Sequence, residues 1–345
     1  MTIDCDMHIE VPGLAALLPY LHPYWRDILV QRGMKDLQTY NYPPKMPISA
    51  RSDWRASGPR PAATLEQVQT ELLGPFGIDL AILRPLFGVQ LLPSEDMAQA
   101  LTRALNDYVV AEWLDREPRL RASIVVPMQN PQMAVEEIDR CACDPRFVDV
   151  MMLISGEMPI GKRYYWPIYE AAQRHGLAVT FHAGSMFRHP TSAAGGTAFY
   201  FEDYSGQAPA FQAQLVSLIC EGAIAKFPDL TFVMAESGVT WMPSVLTRID
   251  KFWRGLRIEV PWVKSRPSEA MRGHVRLTLQ PFDGPSDPRL VEMILDQLGS
   301  DELLLFSTDY PHWQFDGMGA FPEGFSPALR AKITEDNPRA AYRRL

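Results

Sequence analysis

The chain has 345 residues, of which 47% are hydrophobic and 21% charged, and its formal net charge is -8 at pH 7. The acidic balance argues against nucleic acid or an anionic membrane as the main partner, and the sequence shows neither a membrane-spanning apolar run nor a signal-peptide pattern. Its four cysteines are few and lack the spacing of a structural zinc site, so we expect a cytoplasmic protein. The length suits two average domains or one α/β barrel.

The first predicted element is a strand that begins the chain, DCDMHIE at residues 4–10, in which polar and apolar residues alternate. Asp6 and His8 are two residues apart, so their side chains leave the same face of that strand. A solvated edge strand would explain this polar face. A strand whose side chains point at a metal ion would explain it equally well.

Residues 10–62 form an atypical segment rich in proline and aromatic residues, too apolar for a disordered linker and too irregular for a repeat. We expect an insertion folded over one end of the domain. Because it follows the first strand directly, it should emerge at the catalytic face of a barrel and wall the pocket with the loop after His182. Trp25, Tyr42 or Trp54 should then lie near the opening.

From about residue 63 the sequence alternates predicted helices and short apolar strands. Thr64 and Ser94 are suited to cap helices, and Pro131 lies near a first turn. The further strands are predicted at 80–86, 121–129, 147–155, 177–184, 230–238, 275–281 and 303–310. Apolar strands that alternate with helices require parallel pairing with right-handed crossovers. Eight such units predict a single (β/α)8 TIM-barrel domain over 1–345. The first strand is not followed by a glycine-rich fingerprint, which makes an open dinucleotide-binding sheet less favoured.

Polar residues recur in the last positions of the predicted strands, where the chemistry of this barrel sits. They are Asp6 and His8, Arg84, Gln129, His182, Glu236, Gln280 and Asp309, with His312 just beyond the last strand. A site of two imidazoles and two carboxylates suits zinc, manganese or iron, whereas calcium and magnesium prefer oxygen ligands alone.

Four stretches carry a resemblance to a known family: I-D-C-D-M-H, V-T-F-H-A-G, F-P-D-L-T-F-V-M-A-E-S-G and L-L-F-S-T-D-Y-P-H-W. They resemble the amidohydrolase superfamily, in the branch with aminocarboxymuconate-semialdehyde, resorcylate and carboxyvanillate decarboxylases. The similarity runs over essentially the whole chain outside 10–62. It implies a homodimeric barrel with one divalent metal, zinc first and manganese or iron as alternatives. Its ligands fall by motif match on Asp6, His8, His182 and Asp309.

The sequence departs from the family pattern at two positions. Many relatives have histidine where this chain has Asp6, and many carry a catalytic histidine where this chain has Glu236. The second exchange replaces a group that can be cationic with one that is normally anionic, so the decarboxylation chemistry does not transfer directly. Glu236 is expected to act as a proton shuttle or substrate contact, or else to orient His8 or His182.

The prediction is a metal-dependent hydrolase that acts on a small carboxylated substrate, aromatic or cyclic, through a metal-activated water with Asp309 as the base. The alternative is a non-oxidative decarboxylase, in which an acid protonates the ring carbon. Hydrolysis is preferred because an anionic Glu236 would repel a substrate carboxylate. A non-catalytic binding barrel is a second alternative.

Three further residues are predicted to bind the substrate. Arg84 either binds a substrate carboxylate or forms a salt bridge to a barrel carboxylate. His312 either contacts the substrate or fixes its own loop. Gln280 is a candidate hydrogen-bonding contact at the end of the seventh strand.

Overall fold

Eight parallel strands form one sheet in chain order in this computed structural model. The structure describes residues 1–37, 50–51, 54, 60–185, 195, 198–313, 315, 317 and 320–345. Strands β1 to β8 span Ile3–Met7, Leu80–Leu83, Leu120–Val125, Phe147–Ser155, Ala178–Ser185, Phe232–Ala235, Val275–Thr278 and Leu304–Leu305.

Hydrogen bonds between β1 and the segment after β8 close the sheet into a barrel. The Cys5 amide donates to the Phe306 carbonyl at 2.9 Å, the Asp309 amide to the Asp6 carbonyl at 2.9 Å, and the His8 amide to the Tyr310 carbonyl at 2.7 Å. The (β/α)8 barrel that the sequence predicts is therefore confirmed.

Helices separate successive strands, as parallel pairing requires. Helices α1 to α13 span Leu14–Leu17, Pro23–Gln31, Leu65–Val68, Glu95–Val109, Pro131–Cys141, Trp166–Arg174, Tyr200–Cys220, Ala223–Lys226, Met242–Leu256, Pro267–His274, Pro288–Leu298, Pro327–Ala331 and Asn337–Ala341. The Thr64 side chain caps α3 and the Ser94 side chain caps α4, as predicted. Among the described residues, no helix combines the length and apolar character needed to cross a membrane.

The strand end opposite the polar residues is filled by apolar side chains that we call the barrel floor. They include Cys5, Ile82, Val148 and Leu305, all fully buried, together with the ring of Tyr342. Tyr342 follows the last helix, so the C-terminal segment completes the floor. The barrel interior is thus packed at one end, and the functional groups lie at the other.

The predicted insertion is described only in part. Tyr42 and the loop after His182 fall outside the described residues, so the predicted cover over the catalytic face stays a prediction. Ala50 forms a backbone bridge with His312, and the Trp54 ring lies 4.7 Å from the Tyr310 ring. Part of the insertion therefore packs beside the end of β8. Trp25 instead lines a surface cleft against α4.

Candidate active site

Four side chains with metal-binding atoms meet at the carboxyl ends of β1, β5 and β8. His8 Nε2 lies 3.1 Å from Asp309 Oδ1 and 3.6 Å from Asp6 Oδ1. His182 Nε2 lies 3.3 Å from His8 Nε2 and 3.9 Å from Asp6 Oδ1. All four residues are buried. The structure therefore brings together the four residues that the sequence predicts as ligands.

The hydrogen bonds of the two histidines decide which ring nitrogens face the centre. His8 Nδ1 lies 2.8 Å from the Arg84 carbonyl oxygen, and His182 Nδ1 lies 2.8 Å from the Ala183 carbonyl oxygen. Because a carbonyl can only accept, both Nδ1 atoms carry the hydrogen. In the neutral rings both Nε2 atoms then direct lone pairs at the same space, an arrangement that a cation stabilises.

Two carboxylate oxygens of these four side chains are buried without a donor among the described residues. Asp6 Oδ2 and Asp309 Oδ2 lack a hydrogen-bond partner among the described residues. A buried carboxylate oxygen without a partner is costly, so these atoms call for a positive ligand. With the two imidazoles they form a set of nitrogen and oxygen donors that fits zinc, manganese or iron.

Glu236 and His312 lie against this cluster. Glu236 Oε1 is 3.5 Å from His8 Nε2 and 3.7 Å from His182 Nε2. His312 Nδ1 lies 2.9 Å from Glu236 Oε1 and 2.7 Å from Asp309 Oδ1, and the His312 ring stacks on that of His8 at 4.7 Å. Glu236 is close enough to bind a metal itself, to shuttle a proton, or to hold His312.

The backbone at the two acidic strand ends is left-handed, which is uncommon for residues other than glycine. The φ angle is 56° at Glu236 and 54° at Asp309. Neighbouring strands hold both amides, since the Glu236 amide donates to Thr278 Oγ1 at 3.0 Å and the Asp309 amide to the Asp6 carbonyl at 2.9 Å. Strained backbone of this kind costs about 1–3 kcal/mol and is typical of functional sites.

The protonation of the cluster follows from burial and close charges. Burial, reinforced by the Glu236 carboxylate, raises the pKa of Asp309 to about 7. Burial acts to lower the pKa of His312, but the two carboxylates that it contacts raise it to about 9. Burial opposes ionisation of Glu236, yet the imidazoles of His182 and His312 hold its pKa well below the usual range. In the protein alone, His312 therefore carries a proton between two carboxylates.

Arg84 does not face the pocket, which corrects its predicted role as an anchor for a substrate carboxylate. Its side chain is fully buried, and Nη1 donates to Asp6 Oδ1 at 3.2 Å. Nη2 donates to Asp149 Oδ2 at 2.9 Å and to the Tyr342 hydroxyl oxygen at 3.0 Å. The structure thus favours the alternative, a salt bridge to barrel carboxylates.

The two glutamines at strand ends differ in their surroundings. Gln129 Nε2 donates to the carbonyls of Val89 and Leu92, so its amide holds the loop after β2. Gln280 is fully buried; its Oε1 accepts from the Phe282 amide at 3.2 Å, and its Nε2 has no partner among the described residues. Gln280 as a substrate contact stays a prediction.

The sequence analysis missed Asp149 and Tyr342, which hold Arg84. Asp149 is a carboxylate in the middle of the otherwise apolar strand FVDVMMLIS. A charge in a strand buried on both sides must be paired, so its position alone could have pointed to a buried arginine. Tyr342 gave no comparable signal, because its partner is distant in the sequence.

Comparisons with known proteins agree with this geometry. A family model described as Amidohydrolase matches residues 3–344. A gamma-resorcylate decarboxylase of Polaromonas sp. strain JS666 is 24% identical over 306 residues, which cover 81% of this chain and 87% of that protein.

Solved structures share the fold. A dihydroxybenzoic acid decarboxylase from Polaromonas sp. JS666, with bound manganese and the inhibitor 2-nitroresorcinol, has a TM-score of 0.67 and 20% identity, covering 99% of this chain and 96% of that one. A 5-carboxyvanillate decarboxylase from Novosphingobium aromaticivorans, also with bound manganese, has a TM-score of 0.72 and 17% identity, covering 99% and 97%.

Proposed function

Because this chain belongs to the amidohydrolase family, whose model spans residues 3–344, we propose that it is a metal-dependent decarboxylase of a hydroxylated aromatic acid. The observation that carries the proposal is that His8 belongs to two groups of possible metal ligands, one with Asp6 and His182 and the other with Glu236, Asp309 and His312. Two carboxylate oxygens of these groups, Asp6 Oδ2 and Asp309 Oδ2, lack a donor among the described residues. The sequence analysis placed hydrolysis first. The decarboxylase relative supports the alternative better.

Hydrolysis was preferred because Glu236 was expected to repel a substrate carboxylate. Such repulsion requires Glu236 to be an unpaired anion. Its Oε1 instead lies 2.9 Å from His312 Nδ1 and within 3.7 Å of the His182 Nε2 atom. A protonated His312 offsets the charge of Glu236, so the objection to an anionic substrate loses its force.

The residues have two tasks, holding a metal and moving a proton, and Asp309 takes part in both. Asp6, His8, His182 and Asp309 would hold one divalent cation, which supplies a Lewis acid for the oxygens of a bound substrate. Decarboxylation breaks the bond between the ring carbon and the carboxyl carbon, and the electron pair stays on the ring carbon. Carbon dioxide leaves, and the ring carbon gains a proton.

We assign delivery of that proton to the hydrogen-bonded group of Asp309, His312 and Glu236. His312 Nδ1 contacts a carboxylate oxygen of each acidic residue, at 2.7 Å and 2.9 Å. A proton on this group can pass between three side chains without leaving the site. Asp309 and Glu236 thereby stay catalytic candidates, with His312 as a third member of the group, although Asp309 was predicted as the base of hydrolysis and here helps to deliver a proton.

The substrate class follows from the relatives and the metal donors. A carboxylate with a hydroxyl on the neighbouring ring carbon offers two oxygens to one cation. Gln280 Nε2, which has no hydrogen-bond partner among the described residues, is a donor for a further oxygen of such a ring. The bound manganese of the two solved decarboxylases makes Mn²⁺ as strong a candidate as Zn²⁺.

The test is a substrate screen of the purified protein with Mn²⁺ or Zn²⁺. The acids are 2,6-dihydroxybenzoate, 5-carboxyvanillate and other 2-hydroxybenzoates, and a parallel set contains amides and lactones. We expect metal-dependent release of carbon dioxide in equal amount to the phenol formed, and loss of both in His182→Asn. Metal-dependent opening of an amide or lactone without carbon dioxide would establish hydrolysis instead. Neither reaction in the metal-loaded protein would favour a binding barrel.

Two further expectations from the sequence are retained as proposals. A homodimer is expected from the family resemblance, and light scattering of the purified protein tests it directly. A cytoplasmic location is expected from the composition, and fractionation of the cells that make the protein tests it.

A further inference from the structure

We propose that Arg84 is a positioning residue for the metal centre, which aligns the ligands Asp6 and His8 and is itself held by Tyr342, just after the last helix. The inference rests on the proposed metal site. It assigns Arg84 no contact with the substrate.

Arg84 touches the two β1 ligands through different parts of its structure. Its Nη1 donates to Asp6 Oδ1 at 3.2 Å, and its carbonyl oxygen accepts from His8 Nδ1 at 2.8 Å. Its amide also donates to the Met7 carbonyl at 2.8 Å. One residue therefore sets the direction of a carboxylate and of an imidazole that should bind the same ion.

The contact with Arg84 fixes the orientation of the Asp6 carboxylate beside the imidazoles. Asp6 Oδ1 accepts from the guanidinium and is also the oxygen that lies 3.6 Å from His8 Nε2 and 3.9 Å from His182 Nε2, whereas Oδ2 has no donor among the described residues. Hydrogen-bonded partners of this kind orient a metal-binding carboxylate and commonly set metal affinity. Without Arg84, the Asp6 carboxylate could rotate and turn either oxygen to the centre.

The guanidinium is itself fixed from three sides. Nη2 donates to Asp149 Oδ2 on β4 at 2.9 Å, to Thr180 Oγ1 on β5 at 3.3 Å and to the hydroxyl oxygen of Tyr342 at 3.0 Å. Thr180 also donates to Asp149. Because arginine presents several donors in a rigid fork, it can bridge these groups and Asp6 together, and a lysine cannot.

The test is the affinity of the purified, metal-stripped protein for Mn²⁺, measured by competition with a chelator. Arg84→Lys keeps the buried positive charge and thus the fold, but its single ammonium cannot span Asp6 and Asp149. The pair Arg84→Met with Asp149→Asn removes both partners of the buried ion pair, so no lone charge remains between them. We expect both proteins to bind Mn²⁺ about 10- to 100-fold more weakly than wild type.

Arg276→Met is the matched control, because Arg276 is also a buried arginine on a barrel strand. Its Nη1 donates to the carbonyls of Arg272 and Val275, away from the ligands. The thermal midpoint of each metal-stripped protein measures the structural cost of the change. Mn²⁺ affinity should fall in the Arg84 variants and stay at the wild-type value in Arg276→Met, even where the midpoints fall equally.

The outcomes separate this inference from the proposed function. Wild-type affinity in both Arg84 variants would overturn the positioning role and leave the metal site intact. A wild-type protein that does not bind Mn²⁺ would overturn both. Weakened Mn²⁺ binding in the variants, without decarboxylation of any acid by the wild type, would support the positioning role and reject the reaction.

Discussion

Glu236→Gln removes one negative charge from the proposed proton-delivery group while the side chain keeps its size. Because glutamine and glutamate meet the same strain at φ 56°, the backbone should not respond. The contact with the protonated His312, at 2.9 Å, changes from an ion pair to a hydrogen bond between the imidazolium and a neutral amide. The change therefore tests the chemistry of the site with little change in its shape.

The expected loss can be worked out from this contact. A hydrogen bond to a charged group contributes about 1.5–3 kcal/mol, which corresponds to a factor of about 10 to 150 in rate. Loss of a side chain that takes part in proton transfer lowers the rate by about 10²–10⁴ in all, and the lost contact is included in this factor. We expect kcat for carbon dioxide release to fall by about 10²–10⁴ with the bound metal retained.

The assay follows carbon dioxide release under saturating substrate, with metal content measured on the same sample. Glu117→Gln is the control, because Glu117 is a buried glutamate that pairs with Arg119 just before β3, at the strand end opposite the site. Its kcat should equal that of wild type. A Glu236→Gln protein with kcat within about tenfold of wild type would contradict the proton role. Loss of the metal would show that Glu236 is a ligand or orients the ligands, and would reject the proton role.

Three other predictions concern metal, pH and a helix cap. Removal of metal by a chelator should lower the thermal midpoint of unfolding. Free Mn²⁺ at 100 times its dissociation constant should raise the free energy of unfolding of the stripped protein by about 2.7 kcal/mol. A midpoint independent of Mn²⁺ would argue against the site. Hydrogen bonds from Arg119 lower the pKa of Glu117 to about 2. At pH values above the ordinary pKa of glutamate, Glu117 should therefore stabilise the fold by up to about 3 kcal/mol, and this contribution should decrease as the pH falls toward 2. The stability difference between wild type and Glu117→Gln, measured with urea from pH 6 to 3, should shrink accordingly, and a difference that grows would refute this. The Asn130 side chain accepts from amides in the first turn of α5. Asn130→Ala should lower the free energy of unfolding by about 1 kcal/mol, and an unchanged urea midpoint would count against the cap.

The pattern of apolar residues was sufficient to predict the barrel, and it was weakest at β8, where the regular strand is short. The fourth strand was predicted at 147–155 and is observed over Phe147–Ser155, because it is buried along its whole length. The eighth was predicted at 303–310, but its ladder covers only Leu304–Leu305. Beyond it, the Thr308 amide donates to Asp4 Oδ1 at 3.0 Å, a partner that no local pattern reveals.

The same distinction holds in the site. Asp6, His8 and Asp309 could be predicted to converge, because strand ends of a closed barrel share one face. The direction of the Arg84 side chain could not be predicted in this way. Alternation places it on the inner face with Ile82, but only a partner such as Asp149, two strands away, turns it from the pocket toward the barrel interior.

Tyr342, which completes the barrel floor and holds Arg84, has a consequence for how the protein is made. Synthesis proceeds from the N-terminus, so Asp6 and His8 leave the ribosome while most of the barrel is still unmade. If Arg84 positions these ligands as proposed, their alignment depends on a tyrosine near the other end of the sequence. We therefore expect the growing chain to bind a metal at this site with full affinity only after Tyr342 has been added, late in biosynthesis.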